Sequence, residues 1–264
     1  MNMVRRSGLA LVLSLMLSGI VSSAHAATTY TGTVEHAITQ LTVAPENRTG
    51  YLRTLFRHWI DADGDCQNAR QETLISETLA PMTWTTASQC TAATGQWYSY
   101  FDGQTFTSAS QVAIDHMVPL AEAWDSGASA WDAQRRQDYA NDLGDPRALN
   151  AVGLSVNSSK SDSDPTAWMP ALQRCRYYSD WVAIKLRWGL SIDSAELGAL
   201  NALTAECGSM PMTVEVLFGT PVSPLPRTQS PTTPTNLIAT GTTSINLTWT
   251  ASTDNVAVVS YRVS

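Results

Sequence analysis

Between residues 50 and 59, Leu52, Leu55, Phe56 and Trp59 recur at the i, i+3, i+4, i+7 rhythm that lays an apolar stripe along a helix. The stretch before it, 27–44, has no clear period and reads as irregular. An acidic turn, Asp61-Ala62-Asp63-Gly64-Asp65, precedes a shorter helical pattern over 70–79. The pattern then changes to strand-like runs at 97–101 and 105–114 around the turn pair Asp102-Gly103. Residues 122–139 are polar and helical in period, interrupted by Gly127, and 149–156 returns to β propensity. Asp164-Pro165 combines a cap with a first-turn proline and predicts a helix start. A helix follows over 171–188, stopped by Gly189. Asp193-Ser194-Ala195-Glu196 then has capping-box spacing and opens a last helix toward Cys207. Few strands among many helices make an α+β domain of roughly 180 residues.

The two ends of the chain follow other patterns. Arg5 and Arg6, an apolar run over 9–21 and the triplet Ala24-His25-Ala26 read as a secretory signal peptide occupying 1–26. The apolar run is too short to span a bilayer, and no other stretch could, so the mature protein is expected to be soluble and secreted, extracellular or periplasmic. The main domain of the chain is then 27–218. Residues 219–233 form a linker rich in Pro, Thr and Ser. From 234 to 264 strict alternation returns, as in Ser244-Ile245-Asn246-Leu247-Thr248-Trp249, and Val258 to Val263 begins a third strand. This segment resembles the opening strands of a fibronectin type III module. It is shorter than a β-sandwich requires and is expected to be poorly ordered.

Composition is that of an ordinary globular protein, 44% hydrophobic and 15% charged. The formal charge of −7 becomes −9 once Arg5 and Arg6, the only charges before residue 27, are removed. That excludes a broad cationic surface and leaves room only for a local basic groove. Four cysteines in an exported chain predict two disulfides, and the pairing with the shortest closed loops is Cys66–Cys90 and Cys175–Cys207. Asp61, Asp63, Asp65 and Glu72 stand at positions 1, 3, 5 and 12 of a calcium-loop template, but position 6 is Cys66 rather than Gly. The loop therefore reads as an acidic turn.

The chemistry is concentrated in two places. Asp115 and His116 are adjacent at the end of an apolar stretch, before Met117-Val118-Pro119-Leu120. The second β-type run leads into Asn157 and, one helical turn on, Lys160. A neutral imidazole can take a proton from water, so His116 is the candidate base. Asp115 offers a hard anionic oxygen to a divalent ion and Asn157 an amide oxygen, while Lys160 is expected to contact a phosphate. Together these groups suit metal-assisted cleavage of a phosphodiester. His58, between Arg57 and Trp59, reads as a half-buried structural residue.

The ordered series Asp115-His116-x-x-Pro119-Leu120, Trp124, Trp131, Asn141-Asp142-Leu143, Asn157-x-x-Lys160-x-Asp162-x-Asp164-Pro165-x-x-Trp168 resembles the secreted bacterial HNH endonuclease family proteins. The likeness continues through 181–190, and upstream in Asp65-Cys66-Gln67-Asn68-Ala69-Arg70-Gln71-Glu72; it covers roughly residues 45–208. It implies a ββα-metal (HNH, or His-Me finger) nuclease core embedded in a mostly helical domain. Asp115 and Asn157 would be metal ligands, with Mg2+ the first expectation and Mn2+ the alternative, and His116 the general base. The middle Asn of such sequences falls here on Ala148. Asn150, two residues on and on the same strand face, is taken as its replacement, with Asn141 as the other candidate. Arg70 is expected to reach a substrate phosphate. Arg174, Arg176, Lys185 and Arg187 share one helix that is either a phosphate track or a solvated face.

The expected function is a secreted, metal-dependent endonuclease acting on DNA, with RNA a second substrate. No sequence-reading motif is present, so low sequence specificity is expected. The alternative class is a non-catalytic extracellular binding or adhesion protein, in which the Asp-His pair is incidental.

Overall fold

A computed structural model describes residues 27–218, 232–240 and 246–252. The signal expected at 1–26, most of the linker and the strand expected at 258–263 lie outside the described residues.

The domain's first and last strands pair with each other. β1 (Thr28–Thr33) runs antiparallel to β7 (Pro211–Val216), with Thr28 opposite Val216 and Thr33 opposite Pro211. In β7, Met212, Val214 and Val216 are buried and the residues between them exposed, the period-two pattern of a strand with one face on the core. β1 was expected to be irregular, because the partner that makes it a strand lies at the far end of the domain. It passes into α1 (Val34–Gln40), whose N-terminus is capped by the Thr33 hydroxyl accepting from His36 N.

Between these ends come α2 (Ala69–Glu77), a sheet of β2 (Thr83–Trp84), β3 (Ala92–Ser99) and β4 (Gln104–Ser108), and then β5 (Val112–His116). α3 (Leu120–Asp125) and α4 (Ala133–Ala140) follow. β6 (Leu149–Gly153) leads directly into α5 (Leu154–Lys160), and α6 (Arg174–Trp188) and α7 (Ser194–Cys207) complete the domain. α6 is the core helix, with Tyr177, Trp181, Val182 and Ile184 fully or almost fully buried. It ends at Gly189, which takes φ +64°, a conformation that costs glycine little. Asp193 caps α7 as expected, its Oδ1 accepting from Glu196 N at 2.7 Å.

Cys175–Cys207 staples α6 to α7, and Cys66–Cys90 ties the acidic turn before α2 to the chain entering β3; both pairs are as expected.

Four predicted elements differ, the first being the strand expected over 149–156, which ends at Gly153 where α5 begins. Residues 50–59 form only a 3-10 turn at Arg53–Leu55, not a helix. Leu52 is 60% exposed, so the apolar rhythm did not mark one buried face. Phe56 instead packs edge-on to Trp124 and Tyr139, holding the segment as a loop across α3 and α4. The strand expected over 105–114 is broken by a 3-10 turn at Ala109–Gln111. Asp164-Pro165 starts a single turn rather than a helix, with Trp168 N bonded to Asp164 O.

Beyond the domain, β8 (Thr235–Thr240) and β9 (Asn246–Thr250) form an antiparallel pair. Among the described residues no helix is long and apolar enough to cross a membrane.

Candidate active site

β5 and β6 form an antiparallel pair in which Val112 faces Gly153, Ile114 faces Ala151, Asp115 faces Asn150 and His116 faces Leu149. Alternation puts Val112, Ile114, Leu149 and Ala151 into a small core with Leu74 and Trp97. Asp115 leaves the opposite face, toward α5. Gly153, the last residue of β6, lies so close to the Phe106 ring that a Cβ there would meet it at 2.7 Å, and the chain then turns into α5. Strand, strand and helix thus meet at the end of β5. There Asp115, His116, Asn157, Ser161 and Arg53 line a cleft of about 70 Å³.

His116 is 7% exposed. Its Nε2 lies 3.0 Å from the carbonyl oxygen of Ala140, at the end of α4. A carbonyl can only accept, so the proton sits on Nε2 and Nδ1 keeps its lone pair. Burial lowers the imidazole pKa to about 3. The Ala140 bond opposes this, and the charges of Arg53, His58 and Lys160 add to it. The ring is therefore neutral at pH 7. Trp59 stacks on it at 5.4 Å between centroids and an interplanar angle of 29°. Trp59 itself has φ +59°, a conformation rare for an aromatic residue.

The Trp59 loop is held by Asn141. Its Nδ2 donates to Arg57 O at 2.8 Å and Gln137 O at 2.7 Å, and its Oδ1 accepts from Ile60 N at 3.0 Å. Asn150 is buried and donates to Arg147 O at 2.9 Å, bracing the turn into β6 rather than the His116 ring. Of the two candidates for the middle Asn, Asn141 is the one bonded to the segments flanking the imidazole. His58 is half-buried, with Nδ1 donating to Phe56 O at 2.9 Å.

Asp115 is 5% exposed and bonded through Oδ2 to Lys160 Nζ at 2.5 Å. Burial raises its carboxyl to about 6 against the pull of Lys160, and burial lowers the Lys160 ammonium against the pull of Asp115. Lys160 was expected to meet a phosphate. Instead it is wholly buried, and its other donors reach His116 O and Met117 O, each at 2.8 Å. Arg70, also expected at a phosphate, donates to Ala109 O and Val112 O and braces the entry to β5. On α6, Lys185 and Arg187 are buried against Glu122 and Glu196 and against Asp142, and Arg174 pairs with Glu206. Neither a phosphate track nor a wholly solvated face describes that helix.

Arg53 is the site residue that sequence reasoning missed. It is exposed and lines the cleft. The apolar rhythm drew attention to Leu52, Leu55 and Phe56; the two arginines interleaved with them, Arg53 and Arg57, were the signal that could have found it. Asp61, Asp63 and Asp65 cluster within 4.8 Å, exposed; Asp61 accepts from Gly64 N and Cys66 N, Asp63 from Asp65 N and Asp65 from Gln67 N, as an acidic turn does.

Residues 48–202 match the family model for the C-terminal domain of GmrSD restriction endonucleases. An uncharacterized secreted protein of Arthroderma benhamiae is 40% identical over 178 residues, covering 66% of this chain and 85% of the relative. No solved structure matches. The chain belongs to the GmrSD restriction endonuclease C-terminal domain family. It is a nuclease-family protein, secreted, with two disulfides that suit an extracellular setting.

Proposed function

We propose that the protein is a metal-dependent endonuclease of the HNH type, cutting DNA and also RNA with little sequence preference. The observation that carries the reading is the neutral His116, with Nε2 fixed by Ala140 and Nδ1 free, in one cleft with Asp115 and Asn157. The antiparallel β5–β6 pair running into α5 supports a ββα nuclease core.

The donors suit a small hard cation: one carboxylate and one amide oxygen around a cleft of about 70 Å³, leaving its remaining positions to water and phosphate as magnesium prefers. Asp115 and Asn157 would hold it, with Mn2+ as the alternative. Bound there, such an ion supplies charge stabilisation at the phosphoryl and leaving oxygens. His116 takes a proton from the attacking water at Nδ1. Arg53 meets the phosphate at the cleft's open side, the role first given to Lys160 and Arg70. Asn141 keeps the Trp59 loop against the imidazole, and so does the work expected of the middle Asn. The β8–β9 pair is read as the start of a fibronectin type III-like module outside the catalytic unit.

Plasmid nicking with Mg2+, with Mn2+ and with excess EDTA tests the reading. Nicking that depends on added metal is expected. A purified, folded protein that nicks neither DNA nor RNA under any of these conditions would leave the non-catalytic binding class standing.

A further inference from the structure

Lysine occurs only twice in this chain, at 160 and 185, and both side chains are wholly buried. The exposed basic side chains among the described residues are therefore all arginines. Lys185 sits among Glu122, Glu196, Ser126 and the Ser191 carbonyl, locking α3 and α7 onto α6. Lys160 does something different, because its partners are at the candidate site itself.

An ammonium has three N–H donors. Those of Lys160 go to Asp115 Oδ2 at 2.5 Å and to the carbonyls of His116 and Met117 at 2.8 Å each. None remains for a substrate. The two carbonyls belong to the residue that bears the imidazole and the one after it. A single side chain from the end of α5 thus grips the ligand carboxylate and the main chain carrying the base. The rings of Phe101 and Tyr177, each 5.7 Å from Nζ, close the slot behind it. Asp115 lines the cleft, and Oδ1 is the oxygen left to face it.

Resting on the nuclease reading above, we propose that Lys160 is a positioning residue for ligand and base together. It withdraws Asp115 Oδ2 from coordination, so that Asp115 meets the cation through Oδ1 alone, and it fixes the His116–Met117 main chain in register with that oxygen. Outer partners of this kind orient the groups that do the chemistry without touching substrate.

The test uses the full chain with lysines labelled at Nζ by 15N, which gives two ammonium signals, Lys185 serving as internal control. Both signals are expected to exchange slowly with solvent. Mn2+ should broaden Lys160 before Lys185, and a phosphorothioate oligonucleotide added without metal should shift neither. Fast exchange at Lys160, or a shift on adding the oligonucleotide without metal, would overturn the proposal.

Lys160→Met separates positioning from packing. Turnover per folded molecule should fall roughly 10–100-fold. KM for DNA should stay within about threefold of wild type, and Mn2+ affinity should fall, since the buried Asp115 loses the partner that orients it. A raised KM with unchanged turnover would overturn the proposal in favour of a phosphate contact. If Lys160→Met does not fold, the labelled wild type still decides. A wild type that neither binds Mn2+ nor nicks removes the nuclease reading and the proposal with it. A wild type that does both, beside an unimpaired Lys160→Met, removes the proposal alone.

Discussion

His116 donates its Nε2–H to the main-chain carbonyl of Ala140 at 3.0 Å, so the end of α4 decides which nitrogen of the imidazole is left to accept a proton. That bond joins two parts of the chain far apart in sequence. The residue after Ala140 is Asn141, whose side chain holds the loop that stacks Trp59 on the same ring. The base is thus fixed at one edge by a carbonyl and on one face by an indole, and both constraints come from the end of α4.

Asn141→Ala should therefore weaken both constraints. Removing three hydrogen bonds, two of them partly buried, is expected to cost about 1–3 kcal/mol of stability, read from urea unfolding. Nicking by the folded variant should fall while KM for DNA holds, because the change disturbs the orientation of His116 and not the substrate contacts. Wild-type turnover in Asn141→Ala would show that the Trp59 loop does not support the base.

A second prediction concerns pH and stability. Glu77, on α2, is mostly buried and accepts from Ala151 N on β6 at 3.1 Å. Burial raises its carboxyl from 4.5 to about 7, opposed by the Ala151 bond and by Arg176. Between those two values the folded protein keeps a proton that the unfolded chain has lost. Its contribution is fully present below pH 4.5 and is lost as pH rises through 7. Glu77→Gln keeps an acceptor for Ala151 and removes the titration. Its unfolding free energy should exceed the wild type's above pH 7 by about 1–3 kcal/mol, with the advantage fading toward pH 4. An advantage that does not change with pH would contradict this.

Truncation after Phe218 should leave an active domain. The β1–β7 pairing closes the fold, and Phe218 stacks on Trp188 and covers the Arg135 guanidinium at 3.9 Å, so the last turn of chain before the linker is already packed. Thermal melting and nicking of residues 27–218 should match the longer protein. Unfolding of that fragment would move the boundary.

Much of the candidate site was legible because its parts are local. Asp115-His116 ends one strand, and Asn157 and Lys160 follow the next by a helical turn, so each half was local, while their meeting in one site was what the HNH resemblance implied. The disulfides, the Asp193 cap and the Gly189 stop were legible for the same reason. What was hidden depends on partners remote in sequence. Lys185 and Arg187 look like surface cations until Glu122, Glu196 and Asp142 arrive from other elements. Lys160 is interior because Asp115 and two carbonyls of β5 and its exit take all its donors. The 50–59 segment has a helical rhythm, yet its aromatic residues find better partners on α3 and α4, and Arg53 reaches the cleft as a result.

The central claim is that His116 is the base and Asp115 a ligand, and comparing their alanine variants separates the two roles. Single-turnover nicking of a plasmid by His116→Ala, run beside Mn2+ calorimetry on the same protein, measures this most directly. The rate should fall roughly 10²–10⁴-fold while Mn2+ binds as in the wild type. Asp115→Ala should instead lose Mn2+ affinity and recover part of its rate at high metal. A His116→Ala protein that nicks at the wild-type rate would contradict the account.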